Sequence, residues 1–272
     1  MSIQVSGLSF SYGENQVLDH VNFTAQDNQL LSILGPNGVG KTTLFRCILG
    51  LLNGYQGQIL LDGTDIEGLG IEERAKLIAY IPQSHYPAFN YSVFDMVLMG
   101  TSVQVSAFSR PGKKQKWLVE TALNRLGINH LKNRGFTRIS GGEKQLVLLA
   151  RALVQEAKIL IMDEPTSNLD FGNQVRVLTE IKSLAKEGYT IVQSTHNPDQ
   201  TFLFSDRVLA MKEGKVLASG TPGEIFTADL IHSLYGVDVE MESLYHDQAR
   251  VCIPKGIVEE EREKEHLYQF CS

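Results

Sequence analysis

The chain of 272 residues is 43% hydrophobic and 21% charged, with a formal net charge of -6. It has material for a substantial core, in one large domain or a domain with a subdomain, and a disordered chain is not expected. The acidic balance lacks the basic footprint of a dedicated nucleic-acid binder, so nucleic acid is not expected as a partner. Cys47, Cys252 and Cys271 are odd in number and widely spaced, which suggests neither a disulfide framework nor a zinc site and fits a reducing compartment. Residues 2–7 show no secretory leader, and no apolar run approaches the roughly 18 to 20 residues of a membrane span. A soluble chain is expected, one that reaches any membrane through a partner.

Residues 3–10 alternate loosely and residues 17–25 form a second β-prone stretch, with Gly13, Glu14 and Asn15 between them. An antiparallel strand pair is predicted. Tyr12 lies at that turn, where its ring either stacks on a flat base or packs its own hairpin. Residues 29–34 read as a buried strand feeding Gly35, Pro36, Asn37, Gly38, Val39 and Gly40, with Lys41, Thr42 and Thr43 heading a helix over 41–52. The spacing G-x-x-x-x-G-K-[ST] is that of a phosphate cradle: glycines let successive N–H groups turn inward on an anion, and the helix adds the positive end of its dipole. Lys41 then reaches the β- and γ-phosphates of a nucleoside triphosphate, and the Thr42 hydroxyl ligates Mg2+.

Residues 57–63 predict a strand ending in a turn, 71–78 a short polar helix, and 78–81 a further strand that stops at Pro82 and Gln83. Ser92 is placed to cap a helix carrying Val93, Met96, Val97 and Gly100, and Pro111 reads as the first residue of a helix carrying Leu118, Ala122 and Leu126. The stretch from about 85 to 157 is helical in pattern between flanks that alternate strand and helix. An α-helical subdomain inserted in an α/β core is therefore expected.

Ser140, Gly141 and Gly142 precede the apolar helical run 146–153. They form either a second anion-binding helix terminus or an ordinary N-cap on a flexible turn. Residues 159–162 are apolar and lead into Asp163 and Glu164, the pattern of a buried parallel strand with acids at its C-terminal tip. Beside a phosphate loop, Asp163 can hold the Mg2+ shell while Glu164 polarises an attacking water. Residues 165–170 form a turn before an amphipathic helix over about 172–186, and strand 189–194 ends at His196, which faces the γ-phosphate or caps the next helix. Residues 206–212 and 215–219 predict a hairpin, and beyond Tyr235 the pattern weakens towards a charge run at 259–265, a solvated helix or frayed tail.

These separated segments, in this order, resemble the ATP-binding subunits of ABC transporters over about residues 3–235. Residues 35–43 look like the Walker A loop, Gln83 the Q-loop glutamine, and 139–145 the family signature. Asp163 and Glu164 look like the end of the Walker B strand, 167–170 the D-loop, and His196 the switch histidine. Tyr12 falls where the family stacks an aromatic on adenine. Ile139, Glu143, Val39 and Thr42 depart from the commonest residues at their positions, yet the backbone cradle and the Mg2+ hydroxyl survive.

The resemblance implies a P-loop NTPase core over 1–236 with an N-terminal antiparallel β subdomain, the inserted helical subdomain, and a polar C-terminal extension over 237–272. It implies ATP and Mg2+ as cofactors, catalysis by Glu164 with His196 and Gln83, and metal contacts from Thr42, Gln83 and Asp163. It also implies a head-to-tail dimer with a second copy, in which Ser140, Gly141, Gly142 and Asp170 meet the nucleotide held by the other copy's phosphate loop.

Soluble relatives in DNA repair or translation usually carry a coiled-coil insertion or two cassettes, and this chain has one Walker A and no heptad run. Membrane transport is thus expected, with transmembrane permease subunits as partners, a substrate-binding protein acting indirectly, and a peripheral location on the cytoplasmic face of the inner membrane. An exporter subunit is the alternative. Residues 92–100, Phe108, Pro111 and 234–237 resemble bacterial importers of iron-siderophore complexes, vitamin B12 and related metal-containing or oxyanion solutes. Tyr86, Phe89, Tyr91 and Phe94 lie within 83–100, the surface expected to receive a coupling helix of the permease, though part of the cluster reads equally well as subdomain core.

Overall fold

The hydrophobic runs settle into two sheets and a helical layer in the computed structural model, which describes residues 1–83, 87, 89–105 and 110–256. Strands β1 (Ile3–Tyr12) and β2 (Asn15–Ala25) pair antiparallel, with register shifts between Val5 and Ser11 that let the alternation stay loose. Strand β3 (Leu30–Leu34) is buried at every position and is followed by helix α1 (Lys41–Ile48). Strands β4 (Gln56–Leu61) and β5 (Thr64–Asp65) complete a four-stranded antiparallel sheet in the order β2-β1-β4-β5. The predicted helix over 41–52 is shorter than expected because Leu49 caps it and Gly50 turns left-handed, with φ 64°.

Helix α2 (Ile71–Leu77) leads directly into β6 (Ile78–Ile81). From there to β7 (Ile159–Met162) the described elements are all helical: α3 (Val93–Leu98), a 3-10 turn at Met99–Gln104, α4 (Lys113–Arg125), short 3-10 turns, and α5 (Gly141–Leu153). Ser92 caps α3 as expected, its hydroxyl accepting from Asp95 N–H at 3.1 Å. Pro111 is not the first helical residue. Gly112 is the N-cap of α4, and its N–H is taken by Gln115 Oε1 at 3.0 Å, so the proline lies just outside the helix. Phe108 and Tyr86 fall outside the described residues.

Helix α6 (Phe171–Lys186), strand β8 (Thr190–Thr195), helix α7 (Pro198–Phe204) and the hairpin β9 (Arg207–Lys212) and β10 (Lys215–Gly220) follow. The large sheet has the order β10-β9-β3-β8-β7-β6; all neighbours are parallel except β10 on β9. Ile159, Leu160, Ile161 and Met162 of β7 are fully buried, and side chains of this size each contribute roughly 1.5–3 kcal/mol on burial. That explains why the strand is an unbroken apolar run rather than an alternating one.

The expected polar extension after 236 needs correction. Helices α8 (Pro222–Ile225) and α9 (Ala228–Tyr235) are followed by an antiparallel hairpin, β11 (Val239–Leu244) and β12 (Ala249–Pro254). Val239 is buried with Leu34, Phe202, Phe226, Ile231 and Leu234, and Met241 and Cys252 pack against the same cluster. Turn residues Tyr245, His246 and Asp247 all have positive φ and separate two short alternating runs, a signal too weak to read before the packing partner is known. The charge run at 259–265 lies outside the described residues.

Candidate functional site

The C-terminal ends of β3, β7 and β8 converge where the chain order of the large sheet reverses, the place where parallel α/β sheets bind ligands. The loop after β3 passes so close to β9 that a Cβ on Gly35 would stand 2.3 Å from the Met211 carbonyl oxygen, so only glycine fits there. Val17, Asn37, Gly38, Gly40, Lys41, Thr42, Thr43, Gln83, Asp163 and Glu164 line a cleft of about 280 Å3 above it. Lys41 is buried, with Nζ donating to the carbonyls of Gly35 at 2.7 Å and Pro36 at 3.0 Å. Burial holds its ammonium below the ordinary lysine value, partly offset by the Glu164 and Asp163 carboxylates.

Thr42 and Asp163 meet across the cleft: Thr42 Oγ1 donates to Asp163 Oδ2 at 2.7 Å, and Ser194 Oγ donates to Asp163 Oδ1 at 2.6 Å. A hydroxyl and a carboxylate beside a phosphate cradle are a hard-oxygen donor set of the kind Mg2+ takes. Glu164 has a backbone φ of 45°, a left-handed conformation that costs a non-glycine residue about 1–3 kcal/mol. The surroundings hold it there: its N–H donates to Ser194 Oγ at 2.9 Å, and its carbonyl accepts from Ser167 N–H at 3.1 Å and Ser167 Oγ at 2.9 Å. The side chain is thereby aimed between Lys41 Nζ (3.6 Å), Gln83 Nε2 (3.1 Å) and His196 Nδ1 (3.3 Å).

Ser194 was not singled out in the sequence, yet it fixes both carboxylate residues at once. Its signal was a serine at the end of a short strand, two positions before His196; that the strand is buried at every position shows only in the fold. The alternative role of His196 as a helix cap is not what the structure shows, since Asn197 Oδ1 accepts from Gln200 N–H at 3.0 Å and caps α7. Tyr12 ends β1, 44% exposed, with its ring packed edge-on against Phe10 at 4.9 Å; it is not among the residues lining the phosphate-loop cleft.

The Ser140 segment occupies a different face. Ser140 caps α5 in a reciprocal box: its N–H donates to Glu143 Oε2 at 2.7 Å, and its hydroxyl accepts from Glu143 N–H at 3.3 Å. Backbone donation by Ser140 holds the Glu143 carboxyl below its ordinary value. A Cβ on Gly142 would fall 2.3 Å from the Asn173 side chain, whose N–H and Nδ2 are both held by Asp170, the N-cap of α6. Gly141 borders a second cleft with Lys144, Gln145, Asn168 and Leu169. Gln83 lines this cleft, the phosphate-loop cleft and a third one that holds His196, so one side chain borders all three.

A family model described as ABC transporter matches residues 18–167, more than half of the chain. The chain belongs to the ABC transporter family. Within it, the probable iron chelatin transport ATP-binding protein of Helicobacter pylori is 39% identical over 253 residues, covering 92% of this chain and 98% of its own. The ferric enterobactin transport ATP-binding protein of Escherichia coli is 33% identical over 231 residues, 85% of each chain. A solved ABC transporter assigned to the metal-chelate type, in an inward-facing conformation, superposes with a TM-score of 0.82 at 31% identity, covering 93% of this chain and 96% of that one. This ABC protein binds ATP and is an ATPase coupled to transmembrane transport. Among the described residues, no helix is long and apolar enough to cross a membrane.

Proposed function

We propose that the chain energises import of a metal chelate, docked peripherally on the cytoplasmic face of the inner membrane against permease subunits. The observation that carries the catalytic part is Glu164, held by its backbone against Ser194 and Ser167 and aimed between Lys41, Gln83 and His196. In this reading water attacks the γ-phosphorus, its proton passes to Glu164, and the bond to the ADP oxygen breaks. Lys41 carries positive charge to the β- and γ-phosphates, while Gln83 and His196 orient the water and the γ-phosphate. Thr42 and Asp163 would hold Mg2+, which would supply charge neutralisation for the phosphates.

Ser140, Gly141 and Gly142 do not line the phosphate-loop cleft of their own chain. A head-to-tail dimer explains this separation, since each copy offers one half-site for ATP and receives the other from its partner. ATP then holds the two copies together and hydrolysis lets them part, which becomes a mechanical stroke on the permease. The helical stretch of about 85–157 is the moving part, with the Gln83 backbone as its hinge. The named relatives support a chelated metal as cargo, which the permease and an external binding protein select.

The test is co-expression with the neighbouring membrane protein, reconstitution in liposomes, and ATPase assay with ferric chelates, a corrinoid and an oxyanion as candidate solutes. Stimulation by a metal chelate is expected in the presence of the binding protein. Failure to associate with the membrane protein, or stimulation by a non-metal solute alone, overturns the reading.

A further inference from the structure

The segment after β10 lies beyond the matched span of residues 18–167, yet it takes hold of the loop that carries His196. Tyr235 ends α9, where Gly236 turns left-handed with φ 70° and returns its N–H to the His232 carbonyl at 2.7 Å. The Tyr235 ring packs against the cluster of Leu34, Phe202, Phe226 and Leu234, and its hydroxyl donates to the His196 carbonyl at 3.1 Å. Burial raises the Tyr235 phenol well above its ordinary value, so it stays a neutral donor.

A second anchor comes from the C-terminal hairpin. The N–H of Cys252 in β12 donates to Asp199 Oδ1 at 3.2 Å. Arg250 lays its guanidinium 5.3 Å from the Phe202 ring centre and donates to the Phe226 carbonyl at 2.8 Å, with Asp247 fixing its other nitrogens. Helix α7 is thus held by the hairpin at Asp199 and Phe202.

This grip matters because the His196 side chain is 52% exposed, so packing alone does not fix its ring. The described parallel pairing of β3 with β8 stops at Leu34 and Thr195, one residue short of His196. Where the backbone of 196 lies therefore decides whether Nδ1 stands at 3.3 Å from Glu164 Oε2. We propose that Tyr235 is a positioning residue for ATP hydrolysis, acting through the His196 carbonyl, with the hairpin β11–β12 as its buttress. The proposal rests on the reading of His196 as a γ-phosphate contact.

The experiment is a double-mutant cycle on the full-length chain, with steady-state ATP hydrolysis and thermal unfolding measured for Tyr235→Phe, His196→Ala and the double variant. Losing one such hydrogen bond predicts about a three- to tenfold drop in kcat for Tyr235→Phe, with KM for ATP within about twofold and an unfolding midpoint lower by no more than about 4 °C. The double variant should be no slower than His196→Ala alone. Wild-type kcat in Tyr235→Phe beside a slow His196→Ala overturns the positioning role and leaves the His196 reading standing. An equal penalty in both backgrounds overturns it too, because Tyr235 would then act without His196. Wild-type turnover in His196→Ala removes the reading itself. If Tyr235→Phe lowers the midpoint by more than that, Asp199→Ala decides: a reduced kcat with the midpoint within about 4 °C of wild type supports the grip on α7, and an unchanged kcat overturns it.

Discussion

Thr42 and Asp163 stand 121 positions apart in sequence, and their side-chain oxygens lie 2.7 Å apart. The contact joins the start of α1, which follows β3, to the end of β7 across β8, and makes one site out of two loops. Ser194, from the strand between them in the sheet, holds the same carboxylate.

Glu164→Gln keeps the volume and the Gln83 neighbour but removes proton acceptance. Turnover should fall by about 10^2- to 10^4-fold, the usual worth of a general base, with ATP binding retained. Because ATP persists, the variant should form an ATP-dependent dimer in light scattering. Normal hydrolysis would take the base role away from Glu164 and turn attention to His196 and Gln83.

Ser140→Arg places a bulky cation at the N-terminus of α5 and removes its cap. Capping losses of about 1 kcal/mol translate to a melting midpoint lower by about 2–4 °C for a domain of this size. ATP affinity of the isolated chain should stay within about twofold, whereas nucleotide-dependent dimerisation should disappear from gel filtration. Undiminished dimerisation would contradict the head-to-tail geometry.

Phe89 is 69% exposed and meets Tyr91 edge-on at 6.0 Å, while Tyr91 and Phe94 pack against the helical core. Phe89→Asp should therefore change stability by no more than about 1 kcal/mol, mostly the lost ring pair, and leave basal hydrolysis intact. Assembly with the permease, followed by co-purification, should be lost. Full assembly and transport would exclude this face as the docking groove.

Glu143 has its folded pKa depressed by donation from the Ser140 N–H. A depressed carboxylate contributes stability that is present above its unfolded value of 4.5 and is lost as pH falls through the folded pKa. Glu143→Gln should melt about 1–2 °C below wild type near pH 7, a small gap because the carboxyl is largely solvated. The gap should close as pH falls below the ordinary glutamate value and through the lowered folded pKa. A pH-independent difference in differential scanning calorimetry would mean that the charge adds nothing to the cap.

The sequence by itself determined the parts whose physics is local. The phosphate loop is legible because a strand, three glycines, a lysine and a hydroxyl must follow one another within a few residues for backbone N–H groups to close on an anion. The apolar run ending at Asp163 and Glu164 is legible because a strand buried on both faces has no alternation to hide it. Only the tertiary structure decided what distant elements do to each other. Ser194 came to bond the Asp163 carboxylate and the Glu164 backbone because β8 lies beside β7, and Tyr235 reached His196 because its ring packs into the apolar cluster that holds Phe202. Residues 239–254 became a hairpin because Phe202, Phe226 and Leu234 offered an apolar surface that weak alternation could not announce. Such contacts depend on which surfaces meet after folding, and residue spacing within one segment carries no record of that.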